Sequence, residues 1–276
     1  MEYKRILTIQ DISCVGQCSL TVALPIISAC GIETSVLPSS ILSTHTAGFK
    51  GFTFRDLAGD MPSINEHWVK EGIFFDGIYT GYLGSAEQVD YVKNIAKTTL
   101  KQGGKVIVDP AFADGGKLYP IFNDAYVSKM KELVPISDYL LPNLTEACFL
   151  TGLDYKTEYD EDYIKNVCLN LINMGAKTVV LTGVSYRKGK TGIVVISSQN
   201  YYYYEHELLE GSCHGTGDIY ASAFVGALMS GKTPENASQI AADYTVECIK
   251  ATAGDKNHWY GAKFEPCIPY LISLIR

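Results

Sequence analysis

The chain has 276 residues, 47% of them apolar and 19% charged, which suffices for a domain with a sizeable core and excludes a disordered chain. Its formal net charge of −7 is spread without a basic block, so neither nucleic acid nor an anionic membrane is an expected partner. The eight cysteines are scattered with no CxxC or Cys/His metal spacing, and the start carries no signal-like or membrane-spanning run, so the expected location is the cytoplasm, where thiols stay reduced.

In chain order, Arg5–Gln10 reads as a strand and Ser19–Cys30 as a helix ending at Gly31. Glu33–Leu37 is a second strand. The Ser-, Thr-, Gly- and Phe-rich stretch Pro38–Asp60 has weak periodicity and reads as a functional loop or flap. Gly77–Thr80 and Lys105–Val108 are strands separated by a helix over about Ser85–Gln102. Tyr139–Leu141 and Thr178–Leu181 continue the series, with helices near Leu144–Thr151 and Asp160–Met174. Gly192–Ser198 and Tyr201–Glu207 read as an antiparallel hairpin at a sheet edge, with the four tyrosines Tyr201–Tyr204 covering that edge. Gly217–Ser230 and Pro234–Ala253 are long helical patterns. Strand, helix, strand at this spacing predicts a three-layer α/β sandwich, a mainly parallel central sheet with an edge hairpin, with 1–276 as one domain.

The segment from Gly211 to Asp218 (Gly-Ser-Cys-His-Gly-Thr-Gly-Asp) opens the helix rich in small residues. Gly215 and Gly217 flanking Thr216 permit a tight turn whose N–H groups converge, and the helix dipole adds to the pull on an anion. Asp218 falls in the first helical turn, where the same dipole should keep it ionised. A carboxylate beside an anion hole suits phosphoryl transfer to an alcohol. A helix-capping Asp after a glycine-rich turn would leave the same trace. No Gly-Lys-Ser/Thr follows, so this is not a P-loop, and its late position after a hairpin does not fit a dinucleotide fingerprint.

Other polar residues fall at predicted strand ends, where open α/β sheets bind ligands. Asp109 ends one strand, and Asn143 and Glu146 follow another in Pro142-Asn143-Leu144-Thr145-Glu146. Asp109 and Glu146 are hard oxygen donors of the kind that hold Mg²⁺, directly or through water. Each is equally a turn or helix-start carboxylate. Thr182 and Gly183 end a further strand within reach of nucleotide phosphates.

These landmarks, in this order over nearly the whole chain, resemble the ribokinase-like superfamily. Ile9-Gln10, Ser43-Thr44-His45-Thr46, Thr80-Gly81-Tyr82-Leu83-Gly84-Ser85, and Asp109-Pro110 followed by Gly116-Lys117-Leu118-Tyr119 further resemble the pyridoxal kinases. The resemblance implies that Asp218 is the catalytic base and Gly215, Thr216 and Gly217 the anion hole, while Asn143 with Glu146 helps arrange Mg²⁺. It implies a substrate pocket taking in Asp11, Ser13, Thr44, Thr46, Tyr82 and Cys213, with ATP and a small pyridine alcohol as partners. It also implies a monovalent cation such as K⁺ and a homodimer. Asp11 departs from the pattern, standing where many relatives have Ser; a carboxylate there can accept from substrate hydroxyls or bind a protonated ring nitrogen or amine. Cys213 resembles a subgroup whose thiol adds to the pyridoxal aldehyde, and the helix start should lower its pKa; a small buried core thiol is the plainer reading.

The reaction so implied is ATP-dependent phosphorylation of the 5′-hydroxymethyl group of pyridoxal, pyridoxamine or pyridoxine under a closing flap around Ser43–Phe54. The nearest rival is a hydroxymethylpyrimidine kinase of thiamin synthesis on the same fold. A rival of another class is a non-catalytic nucleotide- or vitamin-binding sensor, against which the intact Asp218 argues.

Overall fold

The computed structural model describes residues 3–209 and 213–276; Gly211 and Ser212 of the glycine-rich segment therefore lie outside the described residues. In chain order the elements are β1 (Arg5–Ser13), α1 (Leu20–Ala29), β2 (Glu33–Leu42), β3 (Phe54–Asp56), α2 (Met61–Lys70), β4 (Phe75–Thr80), α3 (Ala86–Thr99) and β5 (Leu100–Val108). A short hairpin, β6 (Ala113–Asp114) and β7 (Lys117–Leu118), precedes α4 (Asp124–Met130), β8 (Tyr139–Leu140), α5 (Leu144–Thr151) and α6 (Glu161–Asn173). The chain continues through β9 (Thr178–Val184), β10 (Lys190–Ser197), β11 (Tyr201–Glu207), α7 (Thr216–Met229), α8 (Pro234–Thr252) and α9 (Ile268–Ile275).

Nine of these strands form one sheet in the order β11-β10-β9-β8-β5-β4-β1-β2-β3. The six from β9 to β2 run parallel, and antiparallel strands close both edges. β1 is an interior strand, between β4 and β2, with residues 6–11 all buried, as befits a strand covered on both faces. One core, with Val89, Val92, Ile95, Val167 and Leu171, packs α3 and α6 on one face, and a second, with Ile26, Ile27, Phe224 and Tyr244, packs α1, α7 and α8 on the other. This is the three-layer α/β architecture of the ribokinase-like fold.

Several boundaries differ from those expected. β2 does not stop at Leu37, because Ile41 and Leu42 still pair with Ile12 and Ser13 beyond an irregularity at the end of β1. Ser39 and Ser40 are fully buried there, and the Ser39 hydroxyl donates to the Tyr82 carbonyl at 3.0 Å. A polar composition thus concealed a strand. β3 returns antiparallel along β2, so the flap contracts to residues 43–53. α3 ends at Thr99 because Leu100 already pairs with Phe75 in the sheet. The helix α2, with proline in its first turn, and the terminal α9 were not anticipated. Tyr201 and Tyr203 pack on one core, and Tyr202 and Tyr204 on the other, as alternation along an edge strand requires.

The crossing of α1 and α7 fixes the helix that carries Asp218. A Cβ on Gly226 would stand 2.4 Å from Cys30 Sγ and 3.0 Å from Cys30 Cβ, so the two helices approach at a glycine. Gly226→Val should therefore force them apart and cost about 2 kcal/mol of stability, read as a lower urea midpoint at an unchanged m-value; an unchanged midpoint would show that the crossing tolerates the added bulk.

Candidate active site

A cleft of about 700 Å³ lies outside the carboxyl ends of the parallel strands. Asp11 and Ser13 reach it from the end of β1, Asp109 follows β5, Asn143 follows β8, and Thr182 and Gly183 lie near the carboxyl end of β9. The start of α7 closes the floor with Gly215, Thr216, Gly217 and Asp218. Of the residues expected at the site, Thr44 alone does not line this cleft. Its hydroxyl is buried with no partner among the described residues, while the neighbouring Thr46 and Ala47 line the cavity.

The glycine turn is shaped by contact. Gly215, at φ 77°, precedes the first turn of α7, and a Cβ on it would stand 1.7 Å from the Gln17 carbonyl oxygen. Both the backbone angle and the approach require glycine. No side chain among the described residues caps this helix, and around Gly217 a Cβ would meet nothing within 4 Å. The first N–H groups of α7 thus open onto the cleft as an anion site.

Asp218 sits half-buried on that first turn. Loss of water raises its carboxyl to about 7, the nearby Asp11 charge pushes the same way, and the Ser19 backbone N–H only partly offsets them. The sequence suggested that the helix dipole keeps it ionised; desolvation and the Asp11 charge act in the opposite direction. Ser19 itself has φ 54°, an uncommon backbone for a non-glycine residue, and it borders both Asp11 and Asp218.

The second carboxylate group lies across the cleft. Asn143 and Glu146 form a capping box at the start of α5: Asn143 Oδ1 accepts from the Glu146 N–H at 2.9 Å, and Glu146 Oε2 from the Asn143 N–H at 3.0 Å. Glu146 Oε1 accepts from the Phe112 N–H at 2.9 Å, and Asn143 Nδ2 donates to the Ala113 carbonyl at 2.8 Å. The pair therefore carries the structural role open to it from sequence while facing the site. Asp109 accepts from the Ala111 backbone and is raised far above the usual carboxylate range by burial, then by Glu146 and Asp218. Among the described residues no lysine or arginine lines the cleft. Uncompensated carboxylates of this kind fit a divalent cation that keeps water ligands, and no group of three or more acidic, His or Cys side chains among the described residues forms a closed cage.

At the other end, Ser13 donates to Asp11 Oδ2 at 3.0 Å, and Tyr82 packs against Phe122 with centroids 5.6 Å apart. Cys213 faces the cleft half-buried. Desolvation pushes its thiol up, contrary to the lowering expected from a helix start, because α7 begins only at Thr216. Sequence reasoning gave no role to His45. The ring is buried; Nε2 donates to the Tyr260 carbonyl at 2.7 Å, and Nδ1 accepts from the Ala47 N–H at 3.1 Å. Ser19, Tyr119, Ile193, Ala242 and Ile249 also line the cavity; only Tyr119 stood in a segment the sequence had marked.

An aspartate at a helix start that no described side chain caps, facing carboxylates suited to a metal across a cleft at the strand ends, is the arrangement of a small-molecule kinase of the ribokinase-like class. The phosphomethylpyrimidine kinase family profile matches residues 55–262, and the chain belongs to that family. Pyridoxal kinase of Dictyostelium discoideum is 28% identical over 239 residues, 80% of this chain and 77% of its own. The hydroxymethylpyrimidine/phosphomethylpyrimidine kinase of Aquifex aeolicus is 26% identical over 176 residues, 63% of this chain and 67% of its own. A Bacteroides thetaiotaomicron protein described as a candidate phosphomethylpyrimidine kinase, crystallised with pyridoxal, superposes with a TM-score of 0.93 at 33% identity, covering 98% of this chain and 96% of that one. No helix among the described residues is long and apolar enough to cross a membrane.

As the candidate base, Asp218 would have to be ionised to accept a proton, so kcat/KM should fall as the pH drops through about 7. Removing the Asp11 charge lowers the proton affinity of Asp218, so Asp11→Asn should move this acid limb to lower pH, by roughly half a unit. A limb that stays in place in the variant would show that Asp11 does not act on the base.

Proposed function

We propose that this kinase transfers the γ-phosphoryl group of ATP to the hydroxymethyl group of pyridoxal, pyridoxamine or pyridoxine. The observation that carries the reading is Asp218 on the first turn of α7, beside N–H groups that no described side chain caps. The Bacteroides relative bound to pyridoxal and the Dictyostelium pyridoxal kinase favour the pyridine acceptor. The cleft, at about 700 Å³, has room for a nucleotide and a small ring together.

Asp218 orients the acceptor hydroxyl and takes its proton as the bond to phosphorus forms. In a loose transition state that transfer is late, so a carboxylate raised to about 7 needs no further activation. The N–H groups of Thr216, Gly217 and Asp218 hold the charge on the moving phosphoryl group. Asp109, with Asn143 and Glu146 through water, would hold Mg²⁺, which supplies the positive charge that the cleft's side chains lack. Thr182 and Gly183 flank the phosphates; Gly183, at φ 73°, leaves open space beside the chain. Thr46, Tyr82 and Ser13 bound the ring, and the flap at 43–53 keeps water from the phosphoryl group. The whole of 1–276 acts as one catalytic domain in this reading.

The family profile and the Aquifex relative favour a second acceptor, hydroxymethylpyrimidine, on which the same base and anion site would act. ADP release should be measured with the three pyridines and the pyrimidine in parallel. Turnover is expected on the pyridines, falling at least about a hundredfold in Asp218→Asn. Turnover on the pyrimidine alone would establish the second reading, and none on any acceptor would leave a binding protein.

A further inference from the structure

Asp11 ends the polar run of β1 at the acceptor side of the cleft with 5% of its surface exposed. A carboxylate so enclosed is costly to keep ionised unless a cation or several donors face it. What faces it are hydroxyls: Ser13 donates at 3.0 Å, and Ser19 lies alongside. His45 is the neighbouring base, but its two nitrogens are engaged by Ala47 and Tyr260 as a neutral ring. The cleft gathers Asp11, Asp109, Asp114, Glu146 and Asp218, with no lysine or arginine among its described lining residues. A divalent cation at Asp109 would answer the phosphate end. No lysine or arginine among the described lining residues answers Asp11, which leaves a proton or a positive group on the acceptor to do so.

We propose that Asp11 receives a cationic aminomethyl group on the ring carbon adjacent to the one bearing the reacting hydroxymethyl, making the aminomethyl form of the vitamin the preferred acceptor. The inference rests on the kinase reading above. Asp11 lies close enough to Asp218 for its charge to act there. Asp11 and Asp218 line the same cleft; with the acceptor hydroxyl on Asp218, the group on the neighbouring ring carbon is the one nearest that end, while the ring nitrogen lies two ring atoms away on the far side. An ionised pair in this enclosed setting is worth more than the bond a neutral hydroxyl or aldehyde would make. Serine or asparagine would bind those neutral groups without a buried charge.

Pyridoxamine and pyridoxine differ at that one substituent, so they form the test. Equilibrium binding by calorimetry, with a non-hydrolysable ATP analogue present, and turnover with ATP are measured for wild type and Asp11→Asn. Wild type is expected to bind pyridoxamine about tenfold tighter or more, and Asp11→Asn to remove most of that preference by weakening pyridoxamine selectively. Equal affinities in the wild type overturn the inference. So does a variant that weakens both compounds by the same factor, which would place a group they share, such as the ring nitrogen, on the carboxylate. Binding with the expected preference but no turnover upholds the inference and overturns the kinase reading; binding of neither compound overturns both. Asp11→Ser, checked by its thermal melt, is a second variant with the same expected outcome should Asp11→Asn not fold.

Discussion

The reacting end of the cleft depends on how closely the loop after β1 approaches the start of α7. The Gln17 carbonyl occupies the space where a side chain at Gly215 would begin, 1.7 Å from its ideal Cβ. That approach leaves the turn no alternative path, so the first N–H groups of α7 face the cleft. The opposite end of the same helix is held against α1, where Gly226 meets Cys30. Asp218 is thus carried on a helix located at both ends by contacts that admit no side chain. Precision of this kind matters for phosphoryl transfer, in which positioning and preorganised charge supply most of the rate.

The same closeness creates the electrostatic problem that the site exploits. Asp11, Asp109, Glu146 and Asp218 converge from two strand ends and the first turns of two helices, and burial raises each of them. Carboxylates that crowd one another out of water favour protons or bound cations over bare charge. In the proposed reaction, a metal bound with the nucleotide and a positive group on the acceptor would relieve that crowding as the reactants meet.

Sequence spacing showed the architecture well because alternating strand and helix leave strong periodic signals, and β1, α5 and the β10–β11 hairpin fall within a few residues of expectation. It failed where polarity and burial part company. Ser39 and Ser40 looked like loop residues, yet they lie buried in β2. The Asn143–Glu146 pair was visible as either a cap or a ligand, and the hydrogen bonds show the cap at the edge of the site. Cys213 and Asp218 were placed at a helix start, but the sign of their pKa shifts could not be read, because desolvation depends on the whole enclosure. Ile193, Ala242 and Ile249 left no trace as site residues, since an apolar wall carries no motif.

His45 shows why the substrate side and the phosphate side cannot be considered apart. Its ring rests on Gly16, where a Cβ would stand 2.0 Å from Cδ2, and its two nitrogens tie Ala47 of the flap to Tyr260 near the C-terminus. The His214 ring, one residue before the anion turn, lies 5.6 Å away, and the His214 carbonyl accepts from the Ala262 N–H at 3.2 Å. Phe49 and Trp259 extend the contact, with centroids 4.6 Å apart. The cover over the acceptor, the loop after β1 and the approach to α7 therefore share one aromatic junction. In the proposed reaction, a flap seated on this junction would fix the acceptor's position relative to the same turn that holds the phosphoryl group, so that enclosing the substrate and aligning it with Asp218 would be a single structural event.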